Sequence, residues 1–273
     1  MSRTVVVTGA GNGIGLAVAR ACAARGDRVV GVDLGTAPMD DTEGVFAATL
    51  AVDVSAAAAV DELAQDCFDD GGVDLVVHAA GVSVGGPALT VAEPDVRWAF
   101  DVNVLGTIWV AQSFGRRMVA ARTAGWLAFV GSEHSLGVPH LNGAPYTATK
   151  HAVLGYCDVL RRELPEQVGV SVLCPGLVAT SLWRSAERRP ESHGGRREVS
   201  PAMGDVMAQG MPAGQVAAAL LAGIDRRDFL IVTHGHVIRY ARDRFREIED
   251  AFAAQAPHAD DLRYEVNEVL RRR

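Results

Sequence analysis

Tyr146 and Lys150 stand four residues apart in Tyr146-Thr147-Ala148-Thr149-Lys150, at the start of a stretch with helical spacing that runs to Leu164 and stops before Pro165. Residues four apart share one helix face, so the phenol and the ammonium are neighbours. An isolated phenol has a pKa of about 10, too high for an efficient base near neutral pH. A positive charge about 4 Å away at an effective dielectric of about 20 contributes on the order of 4 kcal/mol, or about 3 pKa units, which brings the phenol into a useful range. Any Tyr-x-x-x-Lys is common by chance, and this one gains weight from Ser132. The run Trp126 to Gly131 predicts a strand that delivers Ser132 to the carboxyl edge of a sheet, where open α/β folds bind ligands and a hydroxyl can bond a substrate oxygen.

A second constellation sits near the amino terminus. Thr8-Gly9-Ala10-Gly11-Asn12-Gly13-Ile14-Gly15 lies between a predicted strand at 4–8 and a helix from Ile14 to Arg25 that stops at Gly26. Glycines there let the backbone turn tightly and approach a pyrophosphate, while the helix start presents free N–H groups and a positive dipole end. A glycine string alone is weak; its place between strand and helix supplies the context the motif requires. The second strand, Arg28 to Asp33, ends in a carboxylate eighteen residues after Gly15. An acid at that place accepts hydrogen bonds from an adenosine ribose and repels the extra phosphate of NADP, so NAD is the expected cofactor. Neither Asn12 nor Leu34 supplies the positive charge such a phosphate would need.

Elements that would hold these groups follow from periodicity. β-branched runs at 4–8, 28–33, 47–52, 73–78, 126–131, 170–174 and 228–233 alternate with alanine-rich amphipathic segments. That pattern predicts a single Rossmann-type, doubly wound α/β domain, a seven-stranded parallel sheet flanked by helices on both faces. One NAD-binding domain is expected over 1–256, with a helix from Val237 to Ala253 and a charged C-terminal tail at 257–273. The tail either docks on another subunit or stays loose. Trp183 to Met211 is rich in Arg, Glu, Ser, Gly and Pro without a sustained period, and reads as a mobile excursion, a flexible substrate loop at about 181–211.

Composition narrows the class. Of 273 residues 49% are hydrophobic, yet no apolar run reaches the roughly 18 residues of a membrane span. Met1-Ser2-Arg3 leads straight into the first strand without a secretion signal, so a cytoplasmic location is expected. A formal net charge of −7 argues against nucleic-acid partners. Cys22, Cys67, Cys157 and Cys174 lack paired metal spacing and read as buried free thiols. The pairs Arg188-Arg189 and Arg196-Arg197 read as solvated surface, as does Arg271 to Arg273. His234 and His236 lack an evident third ligand, and no metal is expected.

These pieces together resemble the classical short-chain dehydrogenase/reductases, over nearly the whole length to about residue 235. The match rests on Thr8-Gly9 with Gly13 and Gly15, Asp53-Val54, Ala80-Gly81, Asn103, Ser132, Tyr146 with Lys150, and Pro175-Gly176-Leu177-Val178-Ala179-Thr180. The resemblance implies that Asp53 bonds the adenine amine beside Val54, and that Ala80-Gly81 lines the adenosine path. It implies that Asn103 holds a helix kink and a water chain, and that Lys150 also holds the nicotinamide ribose. Pro175-Gly176 leads to the Val178 backbone and Thr180 hydroxyl, which would face the carboxamide. The implied reaction is hydride transfer between NAD(H) and a small secondary alcohol or ketone, with Tyr146 as proton-transfer group and Ser132 steadying the oxygen. A homo-oligomer, tetramer or dimer, built through helices around 103–120 and 146–164 is also implied.

Two positions depart from the family. His78-Ala79 stands where asparagines are usual, which questions strand support more than chemistry. Thirteen residues separate Ser132 from Tyr146, about one more than usual, and Ser135 is a rival with only ten intervening. Glu133, His134 and His140 are candidates for substrate contact. Trp183, Met203 and Met207 are candidate walls of an apolar pocket under the loop. An NADPH-type 3-oxoacyl-thioester reductase is the alternative enzyme, disfavoured by Asp33. A non-catalytic nucleotide-sensing protein is the alternative outside catalysis, disfavoured by the intact Asn103, Ser132, Tyr146 and Lys150.

Overall fold

The structure, a computed structural model, describes residues 2–35, 44–256 and 265–271. The strands are β1 (Thr4–Thr8), β2 (Arg28–Asp33), β3 (Ala48–Ala51), β4 (Leu75–His78), β5 (Gly125–Val130), β6 (Val168–Cys174), β7 (Val178–Ala179), β8 (Met211–Pro212) and β9 (Leu230–Val232). All but β7 and β8 join one seven-stranded parallel sheet in the order β3-β2-β1-β4-β5-β6-β9, as the periodicity predicts. β7 and β8 pair separately beside the loop. The helices are α1 (Gly13–Ala24), α2 (Ala57–Asp69), α3 (Glu93–Phe100), α4 (Gly106–Ala121), α5 (Ala144–Glu163), α6 (Ala202–Met207), α7 (Ala213–Asp225), α8 (Val237–Gln255) and α9 (Val266–Arg271). Most of the expected 257–273 tail lies outside the described residues, apart from the short α9.

Strand side chains alternate between faces, so one run of valines feeds two cores. Val5, Val7, Val29 and Val77 pack with Val18 of α1 and Leu220 of α7. Val6, Val30 and Val76 point the other way, onto Leu63 of α2, Phe114 of α4 and Val153 of α5. Strand order reverses at β1, whose neighbours are β2 and β4, and a crevice opens at the carboxyl ends there. Gly15 permits the tight turn above β1: a Cβ on it would sit 2.1 Å from the Gly9 carbonyl oxygen.

His78 ends β4 fully buried, with Nδ1 hydrogen-bonded at 2.8 Å to the Thr8 hydroxyl of β1. That bond ties the strands that the missing asparagine left in question. Among the described residues Nε2 has no hydrogen-bond partner. Burial, aided by the Lys150 charge, pushes the His78 pKa down to about 3. The unfolded chain therefore takes a proton that the folded state refuses, so this stability is complete above pH 6.5 and drains away as pH falls toward 3. Between pH 6.5 and 4 the loss should be about 3 kcal/mol. Urea unfolding at both pH values measures it, and His78→Asn should shrink the difference; an equal difference in the variant would place the acid sensitivity elsewhere.

The segment expected to lack elements carries several. Two 3-10 turns, Leu182–Arg188 and Glu191–His193, precede α6. The reading of Arg188-Arg189 as solvated surface is corrected at its second member: the Arg189 side chain is 1% exposed and ion-paired to Asp95 of α3. Its guanidinium also lies 5.3 Å from the Trp98 ring centroid, and Arg197 reaches the same carboxylate at 3.0 Å. A buried charge is costly unless paired, and here the pairing fastens the loop to the body. All four cysteines are buried free thiols.

Candidate active site

A cleft of about 620 Å³ follows the carboxyl edge of the sheet from Asp33 and Asp53, past the glycine turn, to Ser132, Tyr146 and the loop residues Met203 and Met207. Gly9, Asn12, Gly13, Ile14, Gly15, Val54, Ala80, Gly81, Lys150, Pro175, Gly176, Val178 and Thr180 line it too. Two residues expected to serve catalysis or the substrate do not. Asn103 stands behind the wall, and Trp183 packs on Gly204 of α6, whose added Cβ would meet the indole at 3.1 Å. The expectation of Trp183 as a pocket wall is thereby corrected; Met203 and Met207 occupy that wall.

At the glycine end, α1 begins without a side-chain cap, leaving its first N–H groups facing the cleft. Gly9 (φ +68°) and Gly13 (φ +57°) hold left-handed backbone there, and a Cβ on Gly9 would stand 2.7 Å from the Ala80 nitrogen. Asp33 ends β2 with Oδ2 accepting the Gly11 N–H at 2.9 Å and Oδ1 accepting that of Leu34 at 2.8 Å. Its charge is thus held against the turn. Asp53 is steadied by Ser55, whose hydroxyl donates to Oδ1 at 2.7 Å. Ser181 bonds the Asn12 Oδ1 at 2.8 Å and joins the loop to the turn. A pyrophosphate and a ribose diol fit this set: free amides and a positive dipole for the first, a carboxylate acceptor for the second.

At the other end, Ser132 follows β5 in extended backbone and caps the 3-10 turn Glu133–Leu136. The rival Ser135 is spent on structure, its hydroxyl donating to the Lys150 carbonyl at 2.7 Å. Tyr146 and Lys150 open α5 as the four-residue spacing predicts, with Nζ 5.5 Å from the phenol ring centroid. Nζ donates to the Val130 carbonyl at 2.8 Å. Asn103 lies in a π-helical turn, Asp101–Leu105, between α3 and α4. Its Oδ1 accepts the Val82 N–H at 2.8 Å, and Nδ2 donates to the Val82 carbonyl at 3.0 Å and to Thr149 at 3.1 Å. The helix irregularity is real and Asn103 stitches it to α5.

The electrostatics differ from the expectation. Burial pushes the Tyr146 phenol up to about 12, opposed by its hydrogen bond with Ser132. Lys150, itself stripped of water, is pushed down to about 8. The expected lowering of the phenol by about 3 units used a surface-like dielectric; in this enclosed site desolvation outweighs the cation, whose nitrogen is directed at a carbonyl.

Sequence reasoning placed His134 near the substrate but missed its setting. His134 meets Tyr146 edge-on at 5.2 Å and stacks on His140 at 4.9 Å. Its Nδ1 bonds Thr147 at 2.6 Å, and burial pushes its pKa down to about 4, so the ring is neutral at ordinary pH. Glu133, buried beside it, pairs with His236 at 3.2 Å, while His234 Nδ1 accepts the Gly176 N–H at 3.0 Å. The turn after β9 thus braces the cleft floor; nothing at 234–236 in the sequence points to Glu133, 103 residues away. Glu133, His134 and His140 also bring ligand-type atoms within 4.8 Å of one another.

Comparison with known proteins bears on this geometry. Residues 3–191 match the short chain dehydrogenase family model. Galactitol 2-dehydrogenase (L-tagatose-forming) of Cereibacter sphaeroides is 36% identical over 68% of this chain and 75% of its own. The 1-deoxy-11-beta-hydroxypentalenate dehydrogenase of Streptomyces arenae is 33% identical over 90% of this chain and 88% of its own. A short chain dehydrogenase/reductase from Burkholderia phymatum, crystallised in complex with NAD, superposes with a TM-score of 0.83 at 31% identity, over 91% of this chain and 94% of its own. A shared fold alone would leave function open, but identity at this level across most of the chain, with the family model spanning the glycine turn, Ser132 and Tyr146, leaves no such latitude: the chain is an oxidoreductase of the short-chain dehydrogenase family.

Proposed function

We propose that the protein interconverts a secondary alcohol and a ketone with NAD(H). One observation carries this: Ser132, Tyr146 and Lys150 line the same cleft as the glycine turn and Asp33. When bound, the nicotinamide would supply or accept the hydride. Tyr146 donates its proton to the ketone oxygen in reduction and takes it back in oxidation, and Ser132 hydrogen-bonds that oxygen. Lys150 holds the nicotinamide ribose, Asp53 and Val54 meet the adenine, and Val178 and Thr180 face the carboxamide. Asn103 is a positioning residue, acting through Val82 and Thr149. His134 contacts the substrate as a neutral ring, with the loop methionines on the apolar side; the NAD-bound relative and a relative named for a sugar-alcohol dehydrogenation support the assignment.

The cofactor choice is open to direct test. Asp33 repels a ribose phosphate, and rejection of this kind works by an unfavourable contact with the wrong partner. NADH formation with a panel of secondary alcohols should show kcat/KM for NAD at least about 100-fold above NADP, near 3 kcal/mol. Asp33→Ser should narrow that ratio at least about tenfold. Equal use of both cofactors by the unaltered protein would overturn the NAD assignment.

A further inference from the structure

Among the described residues α8 is the longest segment that the fold leaves uncovered. Of its nineteen residues Val237 alone is buried, and the body meets it chiefly where Tyr240 and Arg244 lie over Gly137. A different stripe carries its apolar side chains. Ile238, Phe245, Ile248 and Phe252 are 53%, 65%, 44% and 64% exposed, and with Ala241 they follow a spacing of three and four residues. That is the seam spacing of paired helices, not of a lone solvated one. Two exposed phenylalanines and two isoleucines on one stripe mark a contact surface.

Charge selects the occupant. The first half, up to Arg246, holds Arg239, Arg242, Arg244 and Arg246 against Asp243; the second holds Glu247, Glu249 and Asp250 and no base. Such a helix is complementary to itself when reversed and repels itself when parallel. Arg244 meets Glu247, and Arg246 meets Asp243, within the helix. Among the described residues neither Arg242 nor Glu249 has an ion-pair partner. These two flank the stripe on one side, seven residues apart.

We propose that α8 pairs antiparallel with α8 of a second copy of this chain. Phe245 then packs on the partner's Ile248, Ala241 on the partner's Phe252, and Arg242 lies opposite the partner's Glu249, each contact made twice by the two-fold axis. This surface is separate from α4 and α5. It also places a subunit contact over the turn that holds Glu133 and His134, because Arg244 lies against Gly137 at that turn's end.

Light scattering of the purified full chain at about 10 µM, where a dissociation constant of about 1 µM or tighter leaves most of the protein associated, gives the test. The unaltered protein should show a dimer mass or a multiple of it, and Phe245→Glu half that mass. Arg242→Glu and Glu249→Arg should each raise the dissociation constant at least about tenfold, and the two together should restore it to within about threefold. NADH binding and far-UV circular dichroism confirm that each variant folds, since none of these residues touches the cleft. A monomeric unaltered protein, a Phe245→Glu variant of full mass, or a double reversal no better than the single ones would each overturn the pairing.

Discussion

Tyr146→Phe should lower turnover at least about a thousandfold while NADH binds within about threefold of the unaltered protein. The substitution removes one oxygen from a partly buried ring and leaves the ring's packing intact, so the cleft persists. On the proposed mechanism, what disappears is the group that exchanges a proton with the substrate oxygen, an effect of about 10²–10⁴. With the phenol held at about 12 in the free protein, it is a proton donor at neutral pH. Ketone reduction should therefore be flat through neutral pH, and alcohol oxidation, which needs the base form, should rise with pH. Steady-state rates in both directions and a fluorescence titration with NADH check this; a Phe variant turning over at a tenth of the normal rate would remove Tyr146 from the mechanism.

Lys150→Met should abolish useful activity and at the same time stabilise the fold at pH 7. Lys150 is 5% exposed, and burial pushes its pKa from 10.5 down to about 8. The folded protein consequently carries the ammonium at neutral pH at a cost of about 3 kcal/mol. The sign follows from the depressed value: stability tied to this group is greatest above pH 10.5 and is lost as pH falls to 8, where the penalty becomes complete. Methionine removes the penalty and leaves the Val130 carbonyl without the Nζ donor, a loss of about 1–2 kcal/mol. The net gain expected is about 1–2 kcal/mol at pH 7, shrinking to nothing near pH 10. Urea unfolding at pH 7 and 9.5 distinguishes this from a merely structural lysine, for which the variant would be weaker at both. On the proposed mechanism turnover should fall at least about a hundredfold, because the cation that would hold the nicotinamide ribose beside the phenol is gone. Stability and activity moving in opposite directions is the mark of a functional burial.

Much of the architecture was legible before any coordinates. Every predicted strand of the seven-stranded sheet exists within a few residues of its reading, since valine-rich runs between helical segments have few other ways to bury both faces. The glycine turn was legible for a backbone reason: at Gly15 a side chain would collide with the Gly9 carbonyl. The Tyr146–Lys150 adjacency follows from helix geometry alone. Such features depend on neighbours along the chain, and local sequence therefore determines them.

Other properties were decided only when distant segments met. Arg189 looked like one of several surface arginines until Asp95, 94 residues away, drew it inside and gave the loop its anchor. Trp183 turned to α6, and the histidines at 234 and 236 braced Gly176 and Glu133, because β9 carries them to the end of β6. The phenol pKa moved opposite to the reading from spacing, since spacing reports the distance to a cation but not how much water the fold removes. Residue order thus settled periodicity and backbone permission, which are local; desolvation and long-range pairing depend on three-dimensional closure, and these set the charge states on which the chemistry runs.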